Sequence, residues 1–183
     1  MGAPPTRIHV RGTTGSGKST FAAELAARMG VPHIELDALH HGPNWNEATA
    51  DELRERVLAA MRAAQDGWVI DGNYDGKLGS LVEDAADAVV WLDPPFHTAF
   101  IRVLSRTLHR VWHDVELWNG NRESWRTALW GWDALIWWSM RAYFRHRRLW
   151  ANRGYIRLRS ERAKRAWLEQ TVTARRDCRG SSR

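Results

Sequence analysis

The sequence predicts an α/β domain built on a five-stranded, mostly parallel sheet. Short apolar runs alternate with longer helical runs along most of the 183 residues, and each short run is bounded by Gly, Pro or Asp. The first run leads straight into a glycine-rich turn and an alanine-rich helix, as a strand-to-helix crossover requires.

The strands are expected over Arg7–Val10, His33–Leu36, Trp68–Ile70, Ala88–Leu92 and Tyr155–Leu158. Helices fill the gaps. One runs from Gly17 to Met29, and a second from Thr49 to Gln65 opens on a Thr cap with Glu52 three residues on, a capping box. A third starts after Pro94 and Pro95 and ends near Trp112. A polar loop, His113 to Arg122, then leads into a long helix over 123–148 that holds much of the tryptophan. Trp125, Leu129, Trp132, Ile136, Met140 and Tyr143 recur at three- and four-residue steps, an apolar stripe. Trp130, Trp137 and Trp138 lie off it, so the helix either packs on the domain or also offers a dimer or partner surface. Residues 174–183 read as a flexible polar tail.

Composition sets the class. With 44% hydrophobic residues the chain can bury one core, so residues 1–183 are expected as a single domain. Its only cysteine, Cys178, rules out an intrachain disulfide and a cysteine-rich metal site, which fits a reducing, cytoplasmic setting. No basic-then-apolar leader opens the chain, and the most apolar later stretch, Thr127 to Met140, is shorter than a membrane span and carries Asp133, so no membrane association is expected. The net charge of +6 is uneven. Residues 1–100 hold 8 Lys and Arg against 14 Asp and Glu, and residues 101–183 hold 19 against 7. Of the 27 cations 24 are arginine, whose planar fork fits phosphate, so the second half is expected to meet an anion unless codon bias alone explains the arginine.

Gly12 to Ser19 reads GTTGSGKS, a full match to the phosphate-binding pattern G-x-x-x-x-G-K-[ST] in the strand-to-helix setting it needs. Backbone N–H groups of Gly12, Thr13, Thr14, Gly15, Ser16 and Gly17 are expected to cradle a nucleoside triphosphate such as ATP, helped by the helix N-terminus. Lys18 reaches the β- and γ-phosphates, Ser19 ligates Mg²⁺ and Thr20 sits by the α-phosphate.

Ligands of open parallel sheets collect beyond the carboxyl ends of the strands, where three aspartates fall. Asp71, in WVIDGNY, is assigned with Ser19 to the metal, with the Asn73 amide expected to face the phosphates. Asp37, read as the end of strand two, is placed to orient or deprotonate an acceptor hydroxyl. Asp93, in VVWLDPP, caps the next helix or serves the site, and stays outside the catalytic set. His40 and His41 lack a third ligand at metal spacing and read as structural or acceptor contacts rather than zinc ligands. Arg102, Arg106 and Arg110 share a helix face beside a polar loop with Arg122, the makings of a lid that excludes water. Arg106, Arg110 and Arg122 are the choices for closing over the phosphates.

With these motifs in place the chain resembles the adenylate-kinase-like P-loop kinases, and more closely the bacterial group labelled DNA-topology-modulation-related, adenylate-kinase-like ATPases. The matching stretches are GTTGSGKS, ELDALHHGPNW, WVIDGNY, VVWLDPPF with RVLSRTLHR, and ELWNGNRES. The resemblance implies a three-layer P-loop NTPase sandwich with strand order 2-3-1-4-5, an acceptor-binding region over 37–66 and a helical lid over about 110–125. One departure is visible: Gly72 is followed by Asn73 and Tyr74 where adenylate kinases carry Pro-Arg, which removes an arginine that there contacts phosphate. The expected function is transfer of the γ-phosphoryl group of ATP, with Mg²⁺, to a small-molecule or nucleotide acceptor. The alternatives are a nucleic-acid-associated ATPase or polynucleotide kinase, and a nucleotide-gated interaction or toxin protein, with a homodimer open in each case.

Overall fold

The computed structural model describes residues 4–43, 46–112 and 132–180. Five strands form one parallel sheet: β1 (Arg7–Gly12), β2 (His33–Glu35), β3 (Trp68–Asp71), β4 (Ala88–Leu92) and β5 (Ile156–Leu158). Their order is β2-β3-β1-β4-β5, as expected. Every pairing is parallel, with Val10 opposite both Asp71 and Val90. The crossovers are α1 (Lys18–Met29), α2 (Leu36–His40), α3 (Ala50–Ala63), α4 (Asp75–Leu78), α5 (Leu81–Ala85), α6 (Phe96–Trp112) and α7 (Trp132–Trp150), and α8 (Glu161–Gly180) follows β5.

Successive side chains of a strand point to opposite faces, and the sequence supplies apolar residues for both. Ile8 and Val10 of β1, Val69 of β3, and Val90 and Leu92 of β4 bury against Phe21, Leu25 and Met29 of α1 and Leu168 and Val172 of α8. Trp68 and Ile70 of β3 point the other way, onto Leu53 and Val57 of α3, Leu78 and Val82. Helices therefore cover both faces, and each fully buried Leu or Val contributes about 1.5–3 kcal/mol. His9 and Arg11 also lie on the second face. Arg11, 1% exposed, pairs with Asp75 and Glu83, donates to the Tyr155 hydroxyl oxygen at 3.0 Å and stacks 4.6 Å over the Trp150 ring.

Several boundaries differ from expectation for local reasons. Strand two pairs with β3 only over His33–Glu35, and the chain then turns into α2, so Asp37 is a helical residue and not the end of a strand. The predicted capping box is present: the Glu52 N–H donates to Thr49 Oγ1 and the Thr49 N–H to Glu52 Oε2. Residues 174–180, expected as a flexible tail, are helical, because Val172 and Arg175 are buried and Arg175 donates to the Asp66 carbonyl at 3.1 Å. Of the long helix over 123–148, residues 132–150 are helical, and Tyr143 and Trp150 bury against the domain while Phe144 and Leu149 are exposed. The rest of that expectation, with the lid loop over 113–125, lies outside the described residues. No helix among them is long and apolar enough to cross a membrane.

Part of the charge asymmetry is consumed inside the fold. Arg147 at 3.2 Å, Arg157 at 2.5 Å and Arg159 at 4.0 Å surround the buried carboxylate of Asp93, and Arg153 reaches Glu83. The cationic half thus pairs in part with the acidic half of its own chain.

Candidate active site

The site grows from the end of β1. Gly15 and Gly17 take positive φ, 77° and 83°, a conformation that L side chains rarely adopt. At Gly15 space forbids a side chain as well, since a Cβ would lie 2.1 Å from the Ala99 carbonyl of α6. The loop is also braced from β3. Asn73 Nδ2 donates to the Gly12 carbonyl at 2.6 Å while its Oδ1 accepts from the Gly12 N–H at 3.4 Å. The Asn73 amide therefore shapes the loop, and Asn73 also lines the cavity that holds Thr13, Thr14 and Lys18.

At the start of α1, Ser19 Oγ donates to Asp71 Oδ2 at 2.7 Å, and His33 Nε2 lies 3.0 Å from the other oxygen of the same buried carboxylate. The two residues assigned from sequence to one metal thus meet. A hydroxyl and a carboxylate are the hard oxygen donors that Mg²⁺ takes, so this pair fits the ion that the motif implies.

On one side of the loop a cavity of about 580 Å³ opens between α1 and α8, lined by Gly17, Thr20 and Phe21 and by Arg102, Glu161 and Lys164. Arg102 Nη1 and Lys164 Nζ would each lie 3.6 Å from a Cβ at Gly17, and Lys164, buried, donates to the Ser16 carbonyl at 3.0 Å. On the other side a cavity of about 400 Å³ holds Thr13, Thr14 and Lys18 against Asp37, Tyr74 and His146 of α7. Tyr74 donates its hydroxyl to Asp37 Oδ1 at 2.8 Å, and burial first, then the Asp37 carboxylate, pushes the phenol well above its ordinary pKa.

His40, His41 and Glu47 line that second cavity and bring ligand atoms within 4.8 Å of one another. The third member had no sequence signal, because an isolated antiparallel bridge between His41 and Glu47 carries it in. Lys77 Nζ lies 3.3 Å from His40 Nε2 and 3.2 Å from Glu47 Oε2, so a lysine ammonium already supplies positive charge there.

The arginines divide differently from expectation. Arg102, set aside in favour of its neighbours, is the one beside the loop, whereas Arg106 is exposed two turns from α6's start. The side chain of Arg110, and all of Arg122, lie outside the described residues. Lys164 had no sequence signal, since nothing local ties a C-terminal helix to the first loop. Asp93 serves arginines, with Arg157 Nε donating to its Oδ2 at 2.9 Å and Arg147 3.2 Å away.

A glycine loop braced between a strand and a helix N-terminus, on a parallel sheet of this order, defines a P-loop nucleotide-binding domain. Residues 8–127 match the family model described as AAA domain (AAA_18), and the chain belongs to that family. It is similar to a shikimate kinase of Salinibacter ruber, 33% identical over 116 residues, and to a cytidylate kinase of Haloquadratum walsbyi, 31% identical over 116 residues. The alignments cover 54% of this chain in both cases, and 54% and 57% of those relatives, so the chain spans about half the length of the curated relatives it matches. A solved gluconokinase from Sinorhizobium meliloti 1021 is 30% identical, with 59% of this chain and 69% of that one covered and a TM-score of 0.39.

Proposed function

We propose that the chain is a small-molecule kinase of the adenylate-kinase-like class, using ATP or another nucleoside triphosphate and Mg²⁺. The observation that carries this reading is that Lys18 of the phosphate loop and Asp37 line one cavity, while Thr20, Arg102 and Lys164 line another on the loop's far side. Two cavities flanking one P-loop suit a donor and an acceptor that meet at the γ-phosphate. The kinase names of the relatives point the same way.

In this reading the loop N–H groups and Lys18 hold the phosphates, and Arg102 and Lys164 add positive charge beside Gly17. Ser19 and Asp71 would hold Mg²⁺, which when bound neutralises charge on the phosphate oxygens. Asp37 accepts a hydrogen bond from the acceptor hydroxyl through the oxygen that Tyr74 leaves, and so orients it for in-line attack. The bond between the hydroxyl oxygen and the γ-phosphorus forms as that from phosphorus to the bridging oxygen breaks; the hydroxyl proton passes to Asp37 and the nucleoside diphosphate leaves.

The test is incubation with Mg²⁺ and γ-labelled ATP against nucleosides, nucleotides, sugars and short oligonucleotides, beside Lys18→Ala. Label on a small acceptor, lost in the variant, is expected. Label released only as free phosphate, and faster with oligonucleotide, would move the assignment to a nucleic-acid-associated ATPase.

A further inference from the structure

We infer that the acceptor is an uncharged polyhydroxylated compound, bearing neither a phosphate nor a carboxylate group. The inference rests on the kinase reading above and concerns the cavity that Lys18 shares with Asp37.

The wall of that cavity opposite the phosphate loop carries two carboxylates, Asp37 and Glu47, and no arginine among the described residues. The arginines of β1 and α3 on this side are committed elsewhere. Arg54 donates to the Leu78 carbonyl at 3.3 Å, Arg56 to the Leu39 carbonyl at 2.7 Å, and Arg11 is buried in its ion pairs with Asp75 and Glu83. Lys77 is spent on Glu47, whose carboxyl it holds below the usual range, and on the Ala48 carbonyl at 2.9 Å.

His40 and His146 add no charge to replace these cations. Burial is the main cause that lowers the pKa of both His40 and His146, seconded by Lys77 and Arg11 respectively, so both are neutral near pH 7. Among the described residues an anionic group here would lose its water, meet only the charge of Lys18, which the phosphates claim, and that of Lys77, already paired with Glu47, and stand close to two carboxylates.

A polyol meets the same surface favourably. Carboxylate oxygens accept hydroxyl protons, and the second oxygen of Asp37 remains for one. Thr13, Thr14 and Asn73, which line the same cavity, add uncharged donors and acceptors for further hydroxyls. The Tyr74 and His40 rings, 4.8 Å apart, give apolar faces for ring C–H groups, and about 400 Å³ lies within the usual range for small-molecule sites of roughly 300–1,000 Å³.

The experiment compares matched acceptors with the full chain, Mg²⁺ and γ-labelled ATP: glucose against gluconate and glucose 6-phosphate, ribose against ribose 5-phosphate, cytidine against cytidine monophosphate. The expected result is label on a neutral member, with kcat/KM at least ~10-fold above its anionic counterparts, and a narrower preference in Glu47→Gln; Glu47 is 61% exposed, so this change leaves the core intact. Label on anionic members alone, or a preference that Glu47→Gln does not move, overturns the inference and leaves the kinase reading standing. ATP bound by the wild-type chain and lost in Lys18→Ala, with no acceptor labelled, overturns both.

Discussion

Arg102 and Lys164 converge on one oxygen, Glu161 Oε1, at 2.9 and 3.0 Å. One cation comes from α6 and the other from α8, and the shared carboxylate holds both beside Gly17. Arg102→Ala is expected to weaken binding of a labelled ATP analogue by roughly 10-fold, the size of one charge-assisted contact of about 1.5 kcal/mol. Arg106→Ala should change it by less than about 2-fold, as for an exposed charge. Equal losses in both would place the nucleotide elsewhere along α6.

Asn73 is expected to act on affinity by bracing Gly12. Asn73→Ala removes both of its bonds to Gly12, at about 0.5–1.5 kcal/mol each, and should weaken nucleotide binding several-fold while the melting temperature falls by a few degrees. Asn73→Asp puts a carboxylate against the Gly12 carbonyl and should be worse than Ala. Titration calorimetry on the two variants separates the effects, and an Asp variant that binds like wild type would contradict the brace.

Ser19→Ala and Asp71→Asn remove the oxygen pair proposed for Mg²⁺. Each should lower turnover by at least ~10²-fold, yet leave nucleotide binding in excess chelator within about 3-fold of wild type. Equal loss of binding with and without Mg²⁺ would mean that the Ser19–Asp71 bond serves the fold alone.

His9 makes stability depend on pH. It is buried, its Nε2 donates to the Gly72 carbonyl at 3.0 Å, and burial first, then the Arg11 charge, lowers its pKa to about 4. The folded state binds this proton less readily than the unfolded chain, so the contribution is full above about pH 6.5 and is lost as pH falls from there towards 4. The loss is on the order of 3 kcal/mol. Urea unfolding at pH 7.5 and pH 5 should show a large drop in wild type and a smaller one in His9→Gln, which keeps an amide donor but does not titrate.

Arg11 is predicted to matter for stability more than any surface arginine. Arg11→Ala empties its place between the Trp150 and Tyr155 rings and leaves Glu83, 23% exposed, without its closest cation. Thermal unfolding should report a loss of about 2–4 kcal/mol, against less than about 0.5 kcal/mol for Arg62→Ala on α3. Arg11→Met, which fills the space without charge, is expected to recover part of the difference.

Much of this site could be read in the sequence because its parts are local. GTTGSGKS carries its own geometry, and short apolar runs with flanking Gly, Pro or Asp located all five strands within a residue or two. Elements of four and five residues, such as α4 and α5, are too short for a helical period to show. Asp37 was misplaced for a related reason, since a three-residue strand passing into a helix has the same apolar look as one longer strand. Long-range partners left no trace at all: Lys164 reaches Ser16 across 148 positions, and Glu47 joins His41 by a single bridge. Among Arg102, Arg106 and Arg110, helical spacing marks a shared face, but only the packing of Ala99 on Gly15 determines which end of it meets the loop.

That same reach from Lys164 to Ser16 sets an order on biosynthesis. The glycine loop leaves the ribosome well before α8, and the ammonium that caps its Ser16 carbonyl follows only 148 residues later. A nascent chain stopped before α8 carries every residue of the loop motif and still lacks the groove between α1 and α8. Competence to hold a nucleotide on that side therefore arrives with α8, not with the motif itself.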